Sequence, residues 1–395
     1  MNQSPTQSTD ILIAGSGMVG AAIAYFLTRH GFSGRILMVE KDLTFSRAAT
    51  GLSAGGIRQQ FSGPENIKLS QFTLALIRRL KEEFGPEADI GFHENGYSIL
   101  ASEKGLPQLA TNIETQQNAG ADVALLTPTQ LAHDFSWMNV EGLAGASRSY
   151  SGEGWLDAHG LMNLLRQQAR KTGAQLLQDE VTRVNISSNR VTHVELASGE
   201  KINCGIFINA AGPEAGSLAA SAGIHLPVAP RKRFIFVLDC RDAPQALHQA
   251  PLTVDPSGFW FRPEGQQFIC GKSPDEAEEP SVQDFEVDHS FFEEKIWADL
   301  AFRVPAFEAI KVVGAWAGHY DYNSLDQNGI IGPHPEITNF YFANGFSGHG
   351  MQQGAGVGNA IAEHIIKGHF ATIDLGKLSY ERILAHKPYP ELNVI

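Results

Sequence analysis

The sequence predicts an α/β protein in which two domains are interleaved along the chain. The chain has 395 residues, which is more than a single hydrophobic core usually serves. A strand, a glycine-rich turn, a helix and a second strand follow one another within residues 10–39, as in a Rossmann-like βαβ unit. Neither a linker nor an internal repeat separates this unit from the later strands, so we expect two domains that interleave in the sequence, one of them Rossmann-like.

The first elements follow from hydrophobic periodicity and from capping residues. Short apolar runs predict strands, apolar residues at helical spacing predict helices, and Gly31 is a normal helix stop. Pro64 fits the first turn of a helix. The elements predicted up to residue 84 are a strand at 10–14, a helix at 18–30, a strand at 36–39, a loop at 41–58 and a helix at 64–84.

The remaining elements are predicted in the same way. Thr127 and Asp157 are good N-caps for two helices. The pattern predicts strands at 92–100, two or three within 175–196, 202–210, 228–238, 311–320 and 340–343, a hairpin at 259–271, and helices at 287–304 and 351–367. In the helix at 287–304, Phe302 is expected to face a core with the other apolar residues.

Composition excludes several classes of protein. Lys and Arg number 30 and Asp and Glu number 43, for a net charge of −13 without a basic run, so we expect no nucleic-acid partner. The three cysteines form no CxxC pattern, so we expect neither a disulfide framework nor a metal site. The longest uncharged run, residues 11–28, is broken by glycines and predicts neither a signal peptide nor a membrane span. We expect a cytoplasmic protein.

The turn between the first strand and the first helix predicts dinucleotide binding. GSGMVG at residues 15–20 matches GxGxxG, and Glu40 ends the next strand 20 residues after Gly20. The glycines let the backbone approach a pyrophosphate at the helix N-terminus, and an acidic residue at this place binds ribose hydroxyls. The fingerprint alone does not distinguish NAD from FAD. The motifs AATGLSAGG at 48–56, NAAG at 209–212 and GFSGHG at 345–350 favour FAD.

The order of these motifs resembles the FAD-dependent family of D-amino-acid, glycine and sarcosine oxidases and amino-acid dehydrogenases, over residues 10–373. The resemblance implies a D-amino-acid oxidase-like fold, in which a Rossmann-like FAD-binding domain is interleaved with an α+β substrate domain that has a mixed sheet. It also implies that a hydride passes from a C–H next to nitrogen to flavin N5, leaving an imine that water hydrolyses. The implied domains are an FAD-binding domain at 10–90, 150–225 and 326–375, a substrate domain at 91–149 and 226–325, and tails at 1–9 and 376–395.

The resemblance also implies the partners. The substrate would be a small amine or amino acid, and the electron acceptor would be oxygen or a quinone or other carrier. The stretches 49–57, 230–233, 303–308 and 316–323 resemble one mitochondrial subfamily linked to assembly of a respiratory complex, so we also consider contact with such a complex or with a membrane surface. Cysteine is absent from the segment where some relatives attach flavin, which implies non-covalent FAD.

The residues implied to contact FAD come from the glycine-rich turns and from the strand ends beside them. They are Gly15, Ser16, Gly17, Met18, Gly20, Glu40, Lys41, Thr50, Gly51, Ser53, Gly55, Gly56, Ile57, Val181, Ala210, Ala211, Gly212, Gly318, Gly345, Gly348, His349, Gly350, Met351 and Gln352.

Two of the implied catalytic residues lie beside glycine motifs. Arg58 lies two residues after a double glycine, where sarcosine oxidases keep an arginine, and a guanidinium there could bind the negative charge of the flavin or a substrate carboxylate. His349 lies in GFSGHG, before a helix whose N-terminus would face the flavin. The alternatives are a surface arginine and a histidine bonded to backbone at a tight turn.

Other implied site residues lie on the strand after Trp316 and at the carboxylate clamp. His319 and Tyr320 point to opposite faces of a strand, and we favour Tyr320 as the one that faces the flavin, although both could be core residues. Gln352 stands where sarcosine oxidases have a lysine, so the usual clamp is incomplete. Arg233 or Arg262 could replace it.

Two other functions stay open. A 2-hydroxy-acid dehydrogenase of the same fold would need a base, with His349 or His319 as candidates. A protein with an assembly or scaffolding role would keep FAD only for stability. Lys272 follows Gly271, whereas sarcosine oxidases carry a lysine before the corresponding glycine, and this favours a dehydrogenase over an oxidase.

Overall fold

A computed structural model describes residues 7–393, and in this range the chain forms eighteen β-strands and eleven α-helices. The strands are β1 (Gln7–Ala14), β2 (Ile36–Glu40), β3 (Gly56–Ile57), β4 (Tyr97–Ala101), β5 (Val123–Leu126), β6 (Gly145–Ser149), β7 (Gly154–Trp155), β8 (Gln175–Gln178), β9 (Val181–Ser187), β10 (Arg190–Leu196), β11 (Lys201–Asn209), β12 (Val228–Asp239), β13 (Leu252–Val254), β14 (Phe259–Glu264), β15 (Gln267–Lys272), β16 (Lys311–Asn323), β17 (Ile330–Pro333) and β18 (Phe340–Asn344). The helices are α1 (Met18–Arg29), α2 (Pro64–Arg78), α3 (Leu80–Phe84), α4 (Leu106–Asn118), α5 (Pro128–Asp134), α6 (Ala158–Lys171), α7 (Ala215–Ser221), α8 (Ser290–Lys295), α9 (Trp297–Arg303), α10 (Gly350–Lys367) and α11 (Glu381–Leu384).

The first sheet has parallel strands at its centre. Its order is β17-β18-β11-β1-β2-β8, with β10 paired to β11 and β9 paired to β10. The neighbours of β1 run parallel to it, so that Ile13 lies between Met38 and Ile208. These residues are fully buried, as expected for central parallel strands that are covered on both faces.

A layer of helices covers one face of this sheet. Helix α1 packs against α10 and α6, and α10 also packs against α2. The contact between α10 and α1 is close because Gly358 has no side chain: a Cβ at this position would lie 2.6 Å from the Cβ of Ala22. Helix α10, the last helix of the predicted Rossmann-like domain, is therefore in direct contact with α1, its first helix.

The second sheet has the order β16-β12-β15-β14-β13-β4-β6-β5, with mixed strand directions. Its strands come from two stretches of sequence, 97–149 and 228–323, and strands of the first sheet lie between them in the chain. Phenylalanines fill the core between this sheet and α8 and α9, with Phe261, Phe268 and Phe307 in edge-to-face contact. The sheets thus interleave in sequence, and the predicted domain boundaries stay predictions.

Two predicted helices are each divided in two. The helix at 64–84 ends at Arg78 and restarts at Leu80. The helix at 287–304 is broken at Ile296, where φ is −119°. The second half then buries Leu300 and leaves Phe302 48% exposed, so the prediction that Phe302 faces a core is wrong. The prediction assumed one continuous helix, and the break changes which side of α9 faces inward.

The last described residues pack against the first sheet and against α2. The sequence predicts a tail at 376–395, whereas Leu378, Tyr380 and Ile383 are buried and the Tyr380 hydroxyl donates to the carbonyl of His225 at 2.7 Å. Within residues 7–393, α10 and the other helices are too short or too polar to cross a membrane. The same residues include no group of three or more His, Cys, Asp or Glu side chains placed to hold a metal ion.

Candidate active site

A cavity of about 1260 Å³ runs between the two sheets. It is larger than the roughly 300–1,000 Å³ of sites for drug-sized ligands, so it has room for a long ligand together with a second, smaller one. One end is formed by the turn after β1, and the other by β12 and β16 of the second sheet. The N-termini of α1 and α10 both open into it.

The turn after β1 has the shape that a pyrophosphate requires. Gly15 has φ +93°, and a Cβ there would lie 2.4 Å from the carbonyl oxygen of Ala210, so only glycine fits. A side chain at Gly17 would instead point into open cavity, since its nearest neighbour is Thr50 Oγ1 at 3.7 Å. The Glu40 carboxylate lines the cavity and accepts the N–H of Ser16 at 2.8 Å, which fixes its direction. These residues fit an adenine dinucleotide.

Most residues implied to contact the cofactor line this cavity, and five do not: Ser16, Gly20, Gly51, Ile57 and Gly345. Ser16 and Ile57 are fully buried behind the wall. The three glycines pack against other parts of the chain, Gly20 against the carbonyl of Gly15. For these five, direct contact with the cofactor stays a prediction; in this structure they support residues that line the cavity.

The second helix N-terminus is built on the turn at residues 345–350. The Asp321 Oδ2 accepts the N–H of Phe346 at 3.0 Å, and the Asp321 carbonyl accepts the N–H of Ser347 at 2.8 Å. Burial raises the pKa of the Asp321 carboxyl to about 6. The turn directs the first residues of α10 at the cavity, where the partial positive charge of the helix end favours an anion.

Arg58, His349 and Gln352 lie together at this helix end. Arg58 is only 2% exposed; its backbone N–H donates to Gln352 Oε1 at 2.8 Å, and its Nη2 donates to His349 Nε2 at 3.2 Å. Since Nε2 accepts this bond, the ring proton of neutral His349 is on Nδ1. Burial and the Arg58 charge hold the pKa of His349 well below its usual value, so the imidazole is neutral. Arg58 also donates to the carbonyl of Gln60 and lies 4.2 Å from the ring centre of Phe61.

A buried carboxylate behind Arg58 was not indicated by the sequence pattern. Glu153 is fully buried; it accepts the N–H of Gln59 at 2.6 Å and the side-chain amide of Gln60 at 2.8 Å. Burial raises the pKa of Glu153, while these bonds and the charge of Arg58 oppose the rise. A single acidic residue in a loop has no sequence signal for such a role, because its partners lie about 90 residues away in the chain.

The opposite wall carries Tyr320 and His319, and both line the cavity. Burial raises the pKa of the Tyr320 phenol, so it stays protonated at neutral pH. Arg233 lies 5.1 Å from the Tyr320 ring centre and is paired with Glu279 at 2.8 Å. His319 Nε2 is 2.9 Å from the Asp284 carbonyl, and burial lowers the pKa of this histidine.

The two arginines suggested as replacement clamps are both engaged. Arg233 lines the cavity, but its charge is matched by Glu279. Arg262 lies behind the wall: its Nε and Nη2 donate to the carbonyl of Ala54 at 3.0 and 2.8 Å, and it pairs with Glu264. The suggestion that Arg262 binds a substrate carboxylate is therefore wrong, because the guanidinium holds the loop at 48–56 in place.

Tyr97 is a cavity residue that the sequence pattern did not indicate. It is 4% exposed and lines the cavity from β4, and a Cβ on Gly56 would lie 1.9 Å from its hydroxyl oxygen. Burial raises its pKa. A lone tyrosine within an apolar strand resembles an ordinary core residue, so only the pairing of β4 with β13 and β6 places it at the cavity.

Comparisons with known proteins agree with this geometry. The family described as "FAD dependent oxidoreductase" matches residues 10–364. FAD-dependent oxidoreductase domain-containing protein 1 of Bos taurus is 42% identical over 96% of this chain and 85% of its own length. Mitochondrial dimethylglycine dehydrogenase of Homo sapiens is 27% identical over 94% of this chain but only 44% of its own.

Solved structures confirm the predicted fold class. L-proline dehydrogenase from P. horikoshii superposes with a TM-score of 0.85 at 25% identity, covering 98% of this chain and 100% of that one. Glycine oxidase from Geobacillus kaustophilus gives a TM-score of 0.79 at 24% identity, covering 95% and 98%. With a family match over most of the sequence, the cofactor is FAD, and the chain belongs to the family of FAD-dependent oxidoreductases.

Proposed function

We propose that the protein oxidises the C–N bond of an amino acid or secondary amine, with FAD bound non-covalently. The observation that carries the proposal is the buried cluster of Arg58, His349 and Gln352 at the N-terminus of α10. A buried guanidinium and a helix N-terminus at one place favour an anion there. A site that held FAD only for stability would not require this costly arrangement. The three cysteines do not line the cavity, which supports non-covalent binding.

FAD supplies the hydride acceptor, and the side chains of the chain orient the reactants. Arg58 and the N-terminus of α10 stabilise the negative charge that develops on their side of the cavity. Neutral His349 accepts a hydrogen bond from Arg58 and so fixes the plane of the guanidinium. Tyr320 and Tyr97 remain protonated phenols at neutral pH, so each can donate a hydrogen bond to a substrate. No side-chain nucleophile is needed for this reaction.

The names of related proteins support an amine with a substituted nitrogen. Dimethylglycine dehydrogenase and sarcosine dehydrogenase of Homo sapiens, and L-proline dehydrogenase from P. horikoshii, are named for substrates whose nitrogen carries two or three carbon atoms. The matched charge of Arg233 also favours a substrate that needs no second carboxylate clamp. We therefore propose a secondary or tertiary amino acid ahead of a primary one.

We propose a quinone or other carrier, ahead of oxygen, as the electron acceptor. Lys272 lines the cavity, but its ammonium donates to the carbonyl of Lys295 at 3.1 Å and lies 3.4 Å from Asp299 Oδ2. The ammonium is therefore engaged by protein acceptors, which supports an electron acceptor other than oxygen. Contact of the protein with a membrane or a respiratory complex stays a prediction, and so does its location in the cytoplasm. Cell fractionation would check both.

The 2-hydroxy-acid reaction is less well supported. It needs a base near the substrate hydroxyl, and the two histidine candidates are already engaged. His349 Nε2 accepts from Arg58, and His319 is bonded to the Asp284 carbonyl. A depressed pKa makes each a weak base.

The test is anaerobic mixing of the purified flavoprotein with proline, sarcosine, dimethylglycine, glycine and 2-hydroxy acids, followed by the loss of flavin absorbance. We expect a secondary or tertiary amino acid to bleach the flavin. In Arg58→Ala the rate constant for bleaching should fall by about 100-fold or more while FAD is retained, and Arg78→Ala, an exposed arginine, is the matched control. A flavin that none of these compounds bleaches would favour an assembly role.

A further inference from the structure

The described residues of the chain end in a segment, residues 389–393, that returns to the active site. Glu391 is its anchor and is 3% exposed. Its Oε1 accepts the N–H and the hydroxyl of Ser62, each at 2.8 Å, and its Oε2 accepts the side-chain amide of Asn66 at 2.8 Å. A carboxylate is this deeply buried only where several donors compensate for lost water. The 389–393 segment is therefore tied to the start of α2.

The end of the segment reaches Arg58 itself. The carbonyl of Asn393 accepts Arg58 Nη2 at 2.6 Å, and the Asn393 side-chain amide donates to the carbonyl of Gln60 at 2.6 Å. The Gln60 carbonyl is also an acceptor for Arg58 Nη1. Glu391 Oε1 accepts the N–H of Asn393 at 3.0 Å and so connects the anchor to this contact. The segment thus supplies one of the acceptors that orient the guanidinium.

Charge also connects the segment to the arginine. Burial lowers the pKa of Arg58, and the Glu391 carboxylate is the strongest of the charges that oppose this fall. Glu153 lies near Arg58 as well and acts in the same direction, but less strongly. Glu391 therefore contributes to the electrostatic field at the place where Arg58 meets the N-terminus of α10.

We propose that the 389–393 segment is a positioning element of the active site, which holds Arg58 against α10 and shields it from water. The proposal rests on the proposed function for the catalytic use of Arg58, but the placement of Arg58 can be tested separately. Arg58 is the residue that acts on the reactants, and Glu391 and Asn393 act through it. Glu153 supports the same loop in a comparable way, through hydrogen bonds from Gln59 and Gln60.

The first experiment measures the accessibility of Arg58 in the flavin-loaded protein, with phenylglyoxal as the arginine reagent and mass spectrometry as the readout. In Glu391→Ala the segment loses its anchor, so Arg58 should be labelled about tenfold faster or more, because labelling follows the fraction of molecules that are locally open. Leu392→Ala is the matched control, since this neighbour is 56% exposed and should label like wild type. Equal labelling in Glu391→Ala and wild type would overturn the proposal.

The second experiment uses Glu391→Gln, which keeps the length of the side chain and removes its charge. The flavin reduction potential, measured against a reference dye, should become more positive, because a buried negative charge near the arginine has been removed. Glu381→Gln, which removes an exposed carboxylate outside the segment, is the matched control and should leave the potential unchanged. If Glu391→Ala does not fold, an unchanged potential in Glu391→Gln overturns the proposal by itself. Failure of every amine to bleach the flavin would remove the proposed function and leave these two results interpretable.

Discussion

Replacing Asp321 by asparagine tests how the active-site turn is held. Asp321 is buried below residues 345–350, and its Oδ2 accepts the N–H of Phe346. Asparagine has nearly the same shape and keeps an oxygen for this bond, so the turn should persist. The substitution removes only the ability to ionise, which makes the pH dependence of stability the quantity of interest.

The magnitude follows from the pKa. Burial raises the pKa of Asp321 from 3.8 to about 6, and two pKa units correspond to about 3 kcal/mol. Because the folded state binds the proton more tightly than the unfolded state, this group stabilises the fold at acidic pH, and that stability is lost as the pH rises through about 6. The asparagine variant has no group to titrate at this position and so has no such loss. The free energy of unfolding of Asp321→Asn should therefore rise relative to wild type by about 2 kcal/mol between pH 4 and pH 7.

The assay is urea unfolding of both flavoproteins at four pH values from 4 to 7, with tryptophan fluorescence as the signal. Asp242→Asn, at an exposed position, is the control. The difference between its free energy of unfolding and that of wild type should be the same at all four pH values. If the difference between Asp321→Asn and wild type stays constant over this range, the carboxyl titrates normally and the reasoning from burial is refuted.

Three further predictions concern the cofactor and the second core. Gly17→Asp should abolish FAD binding, since its carboxylate would enter the cavity beside the helix N-terminus, where the pyrophosphate is expected to bind. A purified variant with full flavin absorbance would contradict this. Arg262→Met should weaken FAD binding about tenfold or more by releasing the carbonyl of Ala54, since one hydrogen bond to a charged group contributes about 1.5–3 kcal/mol; equilibrium dialysis of FAD checks it. Phe307→Ala should lower the free energy of unfolding by about 3–5 kcal/mol and Phe302→Ala by about 0.5 kcal/mol or less, because Phe307 is fully buried and Phe302 is not; similar urea midpoints for the two variants would refute the assignment.

The parts of the fold that local patterns determine could be predicted. The strand, turn and helix around Gly15 appear where the spacing places them, as do the caps at Thr127 and Asp157. The break at Ile296 has no proline or glycine to signal it, and Ile296 is buried in the core beside the second sheet. The sequence pattern does not indicate helix α4, because its apolar residues are few and its buried face includes the polar Gln116.

The residues of the candidate site also fall into two groups, those that a local motif indicates and those that it does not. Arg58 and His349 follow glycine motifs, so the sequence could indicate them, and the structure brings them within a hydrogen bond. Tyr97 and Glu391 have no such motif, because their roles depend on contacts with residues far away in the chain. A pattern read along the chain reports on neighbours within a few residues, whereas these contacts are set by the pairing of whole elements.

The interleaving of the two sheets has a consequence for how the protein is made. Strand β1 pairs with β11, where Ile13 meets Ile208, and β11 pairs with β18, where Ile208 meets Tyr341. During synthesis, most of the chain, up to the end of β18, must therefore leave the ribosome before the sheet that contains β1 is complete. Helix α10 emerges later still. We expect FAD to be captured only after translation has passed residue 367, the end of α10, so chaperones would meet this protein as an open, flavin-free chain.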